Sequence, residues 1–428
     1  MADRELAVTL YGRDLGELVR RDGRAFLRWS SEAEETWGVN SSALSNGLRV
    51  GLSSIDATEA FFGALLPEGI ALDELARRSG AASNDLVGIF QSVGADLAGA
   101  LTVGRRGTRS EPPRILSHDE LRAAVRTAHG FVVGGGGSAV AGVQRKLALT
   151  HIGEEWAIGN DDTPSTHILK PVGADDRSVA LREQYTLDLA RALGLSSFQS
   201  WVETIGDQPV LVVERYDRVT TDDTSSRIHQ EDMAQALSLP WGGNAKFQWD
   251  DPGANLAAVA ATLDQGRSIF DTGPSQRELL LRFVVFNVAV GNTDAHAKNY
   301  SILRPEGQEP RLAPLYDAAP LMLAYGGSQR LALFVDDEQW LPNVSVEHLT
   351  GEAARWLLPE GRAREIIHDT LERLVVATQE IAADEAIAAT VPGFIRAQAR
   401  NLLAGKRAAV DAAGPLGLQT RIDSSTQG

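Results

Sequence analysis

Between Gly291 and Asn299 the chain reads Gly-Asn-Thr-Asp-Ala-His-Ala-Lys-Asn, and a second acidic residue, Asp317, follows inside Leu-Ala-Pro-Leu-Tyr-Asp. An aspartate, an asparagine five residues on, and a further aspartate after a strand-like run form the order that phosphoryl transfer to a hydroxyl group requires. Asp294 can accept the hydroxyl proton. Asn299 and Asp317 can supply hard oxygen ligands for Mg²⁺ on the phosphates of a nucleotide. The same Asp and Asn also suit the cap of a turn after a buried helix, because such residues favour turns. The upstream residues favour the chemical reading.

Upstream, Gly134 to Gly137 open a glycine-rich run that passes through Ser138, Ala141, Gly142, Val143, Gln144 and Arg145 into a strand-like segment, Lys146–Thr150. A loop without side chains can bring backbone N–H groups to phosphate oxygens. It is not a Walker A loop, because Gly142 is followed by Val143 and Gln144 rather than Lys-Ser or Lys-Thr. By itself a glycine run also suits a linker. Lys170 ends the short apolar strand Thr166–Lys170, and Glu183 lies early in a helix over Val179–Leu193 that closes at Gly194. In protein kinases a strand lysine on the phosphates is held by a helix glutamate, so Lys170 and Glu183 are the candidates for that pair. The apolar strand Pro209–Val213 turns abruptly charged at Glu214, Arg215 and Tyr216, which suits a hinge whose backbone faces an adenine edge or, equally, an ordinary strand exit. His296 has no cysteine or second histidine at zinc spacing.

These residues need rigid supports. Gln276–Val290 is apolar over most of its helical circumference and would deliver the Asp294 loop from a buried helix. Residues 6–12 and 25–29 read as strands joined by a polar turn at Arg21-Asp22-Gly23, followed by helical stretches around Thr58–Leu66, Leu72–Ala76 and Asn84–Val93. Arg105 to Pro113 is a polar, proline-containing connection, and Val346–Ala412 reads as several amphipathic helices. The expected organisation is a small α/β unit over 1–110, a nucleotide-binding part over 111–218, a helical catalytic lobe over 219–413 and a frayed tail over 414–428. With 428 residues, 43% hydrophobic, the chain has the composition of a soluble globular protein of two domains. It contains no cysteine, which excludes disulfides and thiolate metal sites. The amino terminus lacks a basic then apolar leader and no apolar run is long enough to span a bilayer, so the expected residence is cytoplasmic. A formal charge of −16 opposes direct contact with nucleic acid.

Taken in order, these motifs resemble the HipA family of serine/threonine protein kinases, toxin components of bacterial type II toxin–antitoxin pairs. The likeness rests on Ala141-Gly142-Val143-Gln144-Arg145-Lys146, Thr166-His167-Ile168-Leu169-Lys170, Val213 to Arg218, Gln230-Glu231-Asp232-Met233, Thr293 to Asn299 and Pro314-Leu315-Tyr316-Asp317. The resemblance implies an α/β (α+β) kinase-like fold, with a smaller α/β amino-terminal domain and a mainly helical carboxy-terminal domain. It implies ATP contacts from Ala141 to Lys146, Lys170, Glu214 to Tyr216, His296, Lys298, Asn299, Tyr316 and Asp317, with Asp294 as the catalytic base. It also implies a protein substrate, an aminoacyl-tRNA synthetase in relatives, and a small helix-turn-helix antitoxin of the HipB kind through which any DNA contact is made. Many members carry an autophosphorylated serine three residues before the glycine matched by Gly142; here that position is Ala139, with Ser138 beside it. A small-molecule phosphotransferase and a non-catalytic nucleotide-binding regulator are the competing readings, and the presence of Asp294, Asn299 and Asp317 together argues against the second.

Overall fold

The computed structural model describes residues 5–104, 112–127, 145–160, 162–221, 224–265, 275–324 and 328–409. Most of the glycine-rich run, including Ser138, Ala139 and Ala141 to Gln144, lies outside the described residues, as does the expected tail over 414–428.

Four antiparallel strands open the chain: β1 (Leu6–Leu10), β2 (Arg13–Arg21), β3 (Arg24–Trp29) and β4 (Leu101–Gly104), in the order β3-β2-β1-β4. Leu6, Val8 and Leu10 alternate inward along β1, as a half-buried strand should. They meet Phe61 and Phe62 of α2 (Ile55–Ala64) and Phe90 of α4 (Leu86–Val93) in one core. Helices α1 (Ser31–Trp37) and α3 (Ile70–Ser79) complete this unit. The strand β2 is absent from the sequence expectation. Its charged residues hide a short alternation in which only Leu15, Gly16 and Leu18 are buried.

A second antiparallel sheet holds β5 (Arg114–Ile115), β6 (Leu147–Ile152), β7 (Glu155–Ile158), β8 (His167–Pro171), β9 (Ser200–Ile205) and β10 (Gln208–Glu214), in the order β5-β7-β6-β8-β10-β9. Because side chains alternate across a strand, β10 serves two cores. Val210 and Val212 face Leu121 and Val125 of α5 (His118–Thr127), while Leu211 and Val213 face Ala180 and Leu187 of α6 (Arg177–Ala192). Leu211 pairs with Lys170 in register, so the lysine points to the α6 side of the sheet.

The rest of the chain is mainly helical. After a hairpin of β11 (Arg218–Thr221) and β12 (Thr224–Arg227), β13 (His229–Asp232) pairs with β14 (Ser301–Arg304), which pairs with β15 (Arg311–Leu312). Around them lie α7 (Met233–Ala236), α8 (Leu256–Leu263), α9 (Gln276–Val290), the hairpin β16 (Arg330–Val335) and β17 (Glu338–Trp340), then α10 (Val346–Arg355), α11 (Glu360–Glu380), α12 (Glu385–Ala388) and α13 (Val391–Leu403). Every residue of α9 from Phe283 to Val290 is buried, which makes it the spine of the largest core. It spans the expected range, capped by the Ser275 hydroxyl at one end and at the other by Gly291, whose φ of +81° only glycine adopts freely.

The first unit is stitched to the rest by buried polar contacts. Tyr11 donates its hydroxyl to the Arg304 carbonyl and accepts from the His229 N–H at 2.8 Å. Asp96, fully buried, lies 3.2 Å from Arg218 and 3.8 Å from both Arg215 and Arg227, and accepts the Ser165 N–H at 3.1 Å. Asp217, also buried, pairs with Arg215 and Arg218 and accepts the Gly99 N–H at 2.7 Å. Gly99 cannot be larger: a Cβ there would lie 2.7 Å from the backbone nitrogen of Gln230.

Candidate active site

A cavity of about 230 Å³ lies where these parts converge, and Lys170, Glu183, Asp294, Asn299 and Asp317 all line it. Lys170 Nζ lies 2.6 Å from Glu183 Oε1 and also pairs with Asp317 Oδ1. Burial alone would push this lysine down, yet Asp317 and Glu183 outweigh it and hold its ammonium firmly charged. Burial likewise opposes charge on Asp317, but Lys146 and Lys170 keep its carboxyl well below the usual range. Lys146 Nζ is 3.6 Å from Asp317 Oδ2, and Asn299 Nδ2 is 3.3 Å from the same oxygen. Asp317 sits at a φ of +57°, a left-handed conformation that aspartate tolerates better than most residues, and it follows Tyr316 into the cavity wall.

The Asp294 loop is braced from all sides by backbone hydrogen bonds. Gly291 O accepts from Met322 N, Thr293 O from Ala332 N, and the Ala297 N–H donates to Lys246 O, at 3.1, 2.9 and 3.1 Å. Asn292 side-chain oxygen receives the Asp294 N–H at 3.3 Å, and Asn299 Oδ1 receives the His296 N–H at 3.1 Å. Asp294 keeps part of its surface open to solvent, but the protein behind it removes enough water to push its carboxyl up to about 6, with Lys246 opposing the shift. His296 is driven down to about 3 by burial and stays neutral; its ring packs edge-on to Phe247 at 5.3 Å.

At the other end, Val213 to Asp217 line the cavity and the Tyr216 and Tyr316 rings lie 5.3 Å apart at 31°. The Tyr316 hydroxyl donates to Lys298 O at 2.7 Å, tying this aromatic pair to the Asp294 loop. Arg215 lines the cavity, but its guanidinium belongs to the Asp96 and Asp217 cluster. Arg145 turns to the carbonyl of Val125, at 3.0 Å, and is not part of the cavity wall. Several lining residues carry no assigned role in the sequence reading: Gln230, Asp232, Lys246 and, from the first unit, Ala64, Glu68 and Ala98. Of these only Gln230 and Asp232 fall in a motif noted beforehand, so no local signal marked the others.

Among the described residues no cluster of three or more histidine or acidic side chains is set to hold a metal. Mg²⁺ does not require one, since it is commonly bound by one or two carboxylates together with phosphate oxygens and water. Asp317 offers a carboxylate oxygen of the right hard character; Asn299 faces it through Nδ2 while its Oδ1 accepts the His296 N–H, so binding a cation through that amide oxygen would need its side chain to turn. No helix among the described residues is long and apolar enough to cross a membrane.

The profile described as the HipA-like C-terminal domain matches residues 138–378, and the HipA N-terminal domain matches residues 6–104. The chain is 32% identical over 280 residues to a putative kinase, Y4mE, of Sinorhizobium fredii, covering 60% of this chain and 63% of that one. It is 28% identical over 290 residues to the serine/threonine-protein kinase toxin HipA of Shewanella oneidensis, covering 64% and 65%. The match thus spans somewhat less than two thirds of each of these relatives. Among solved structures, HipA from a Shewanella oneidensis complex of HipA, HipB and operator DNA superposes with a TM-score of 0.76 at 22% identity, covering 93% of this chain and 96% of that one. The fold is therefore shared over nearly the whole length.

Proposed function

This chain belongs to the HipA family, whose C-terminal profile covers more than half of it, and on that premise we propose that it is an ATP- and Mg²⁺-dependent serine/threonine protein kinase acting as a toxin. The observation that carries the proposal is the convergence of Lys170, Glu183, Asn299, Asp317 and Asp294 on one cavity. In this reading the adenine lies by Val213 to Tyr216 beside the tyrosine pair. Lys170, fixed by Glu183, holds the phosphates. Mg²⁺ bound by Asp317 and Asn299 would offset charge on the phosphate oxygens. Asp294 takes the proton of an acceptor hydroxyl as its oxygen bonds to the γ-phosphorus; the bond to the β-phosphate oxygen breaks and ADP departs with that electron pair.

The substrate, on the same reading, is a protein, with an aminoacyl-tRNA synthetase the leading candidate, so that its modification blocks translation. Incubating the chain with labelled ATP, Mg²⁺ and host lysate, then identifying the labelled band, tests this. Transfer only to sugars or aminoglycosides would count for a small-molecule phosphotransferase instead.

Asp294 must be ionised to act as a base. With its carboxyl raised to about 6, the active form is lost as pH falls through that value, so kcat/KM should rise with pH through about 6 and then level off. A profile flat between about pH 5 and pH 8 would contradict the assignment.

The partner proposed is a small basic helix-turn-helix protein of the HipB kind, because the Shewanella relative is found assembled with HipB and operator DNA. DNA affinity then resides mostly in that partner. The isolated chain, at −16, should bind duplex DNA negligibly at physiological salt; tight, salt-sensitive binding in a fluorescence anisotropy titration would exclude this division of labour.

A further inference from the structure

Glu68 lies in the short connection between α2 and α3, in the first α/β unit, yet its carboxylate lines the cavity. Its Oε2 is 2.5 Å from Lys246 Nζ and its Oε1 is 2.9 Å from Lys298 Nζ, so one carboxylate bridges two lysines. Lys298 Nζ also donates to the Ala64 carbonyl at 3.0 Å, a second hold from the same unit. The three side chains are 17%, 8% and 9% exposed, so the bridge is little screened by water. Burial opposes charge on Glu68, but Lys298 and Lys246 overcome it and bring its carboxyl down to about 2. Lys246 in turn accepts the Ala297 N–H on its carbonyl, so the clamp grips the Asp294 loop through backbone and side chain.

The location of the lysine pair gives it a role. Lys246 is near enough to Asp294 to oppose the rise of its carboxyl, and Lys298 lies on the same loop as Asp294; all three line the cavity. We propose that Glu68 is a positioning residue for phosphoryl transfer, holding the Lys246 and Lys298 ammonium groups where they meet the negative charge of the phosphoryl group in flight. The proposal rests on the kinase reading above. Two free lysines would each sample many rotamers, whereas a bridged pair is already placed when charge develops, and preorganised charge is where such stabilisation is largest. Because the carboxylate comes from residues before the nucleotide sheet, the first unit completes the site rather than merely adjoining it.

The test uses Glu68→Gln and Glu68→Asp in the full chain. Glu68→Gln should lower kcat by about 10-fold to 10²-fold, the scale of a misplaced catalytic group, and leave the affinity for a non-hydrolysable ATP analogue unchanged. Glu68→Asp should recover part of the rate. An unchanged kcat, a higher one (the result if the carboxylate blocked the site), or a loss confined to nucleotide affinity overturns the proposal. A second readout needs no turnover. Lys246 and Lys298 should react slowly with an amine-acylating ester in the unmutated chain and faster in Glu68→Gln, scored by peptide mass spectrometry against exposed Lys406. Equal rates at both lysines overturn the clamp whether or not the chain transfers phosphate. Faster acylation with no transfer to any acceptor by the unmutated chain removes the kinase reading and the catalytic half of this proposal with it.

Discussion

Asp294→Asn should fold normally, bind ATP as before, and transfer phosphate about 10²–10⁴-fold more slowly, the range for loss of a general base. The substitution keeps the size of the side chain and removes only its ability to take a proton. Nucleotide binding should survive because the Lys146, Lys170, Glu183 and Asp317 cluster that would hold the phosphates is built from ion pairs among its own members, without the Asp294 carboxylate. Its loop also owes its shape to backbone hydrogen bonds donated by Met322 and Ala332 and accepted by Lys246 rather than to the carboxylate. Initial rates with labelled ATP, beside calorimetric titration of the same preparation, separate the two quantities. A folded variant that transfers at the full rate would show that another group takes the proton.

Asp96→Ala should destabilise the protein by about 3–5 kcal/mol, because removing one carboxylate from a buried ionic cluster leaves its arginines with less compensating charge. Asp96 faces Arg215, Arg218 and Arg227 with no exposure to solvent. Without it, Arg215 and Arg218 keep Asp217, while Arg227 loses its contact with Asp96. The comparison is Asp207→Ala, which removes the exposed partner of Arg126 at 2.9 Å; such surface pairs contribute little to stability. Denaturant midpoints of the two variants measure the contrast. A shift for Asp96→Ala no larger than for Asp207→Ala would mean that the cluster relaxes around the gap.

The parts readable in the chain beforehand are those whose signal is local. A helix apolar over most of its circumference and ending in glycine identifies α9, and it leads straight to Asp294. Leu181, Tyr185 and Leu189, spaced one helical turn apart, mark the face of α6 buried in the largest core; Glu183 lies on the other face, with Ala180 and Leu187, toward the Lys170 strand. Strands β16 and β17, six and three residues long, carry too little alternation to read, and β13, four residues long, is defined by β14, its partner far along the chain. Glu68 and Lys246 escape for the same reason. A single glutamate after a helix and a lysine in an irregular segment carry no pattern, and they become a pair only across 178 residues of sequence. Asp96 is similar, since nothing in its neighbours announces three arginines more than a hundred positions later.

The contact between Tyr11 and Arg304 joins positions 293 residues apart, and it bears on when the protein becomes itself. Closing so long a loop costs little extra stability, since each doubling of length adds only about 0.6 kcal/mol, but contacts of wide sequence separation slow the search for the native state. On the ribosome the chain emerges at about 5–20 residues per second, and the first unit can fold long before Arg304 exists. For tens of seconds that unit must wait with its docking surface uncovered. The cavity, which draws on both ends of this span, is among the last features to appear during synthesis.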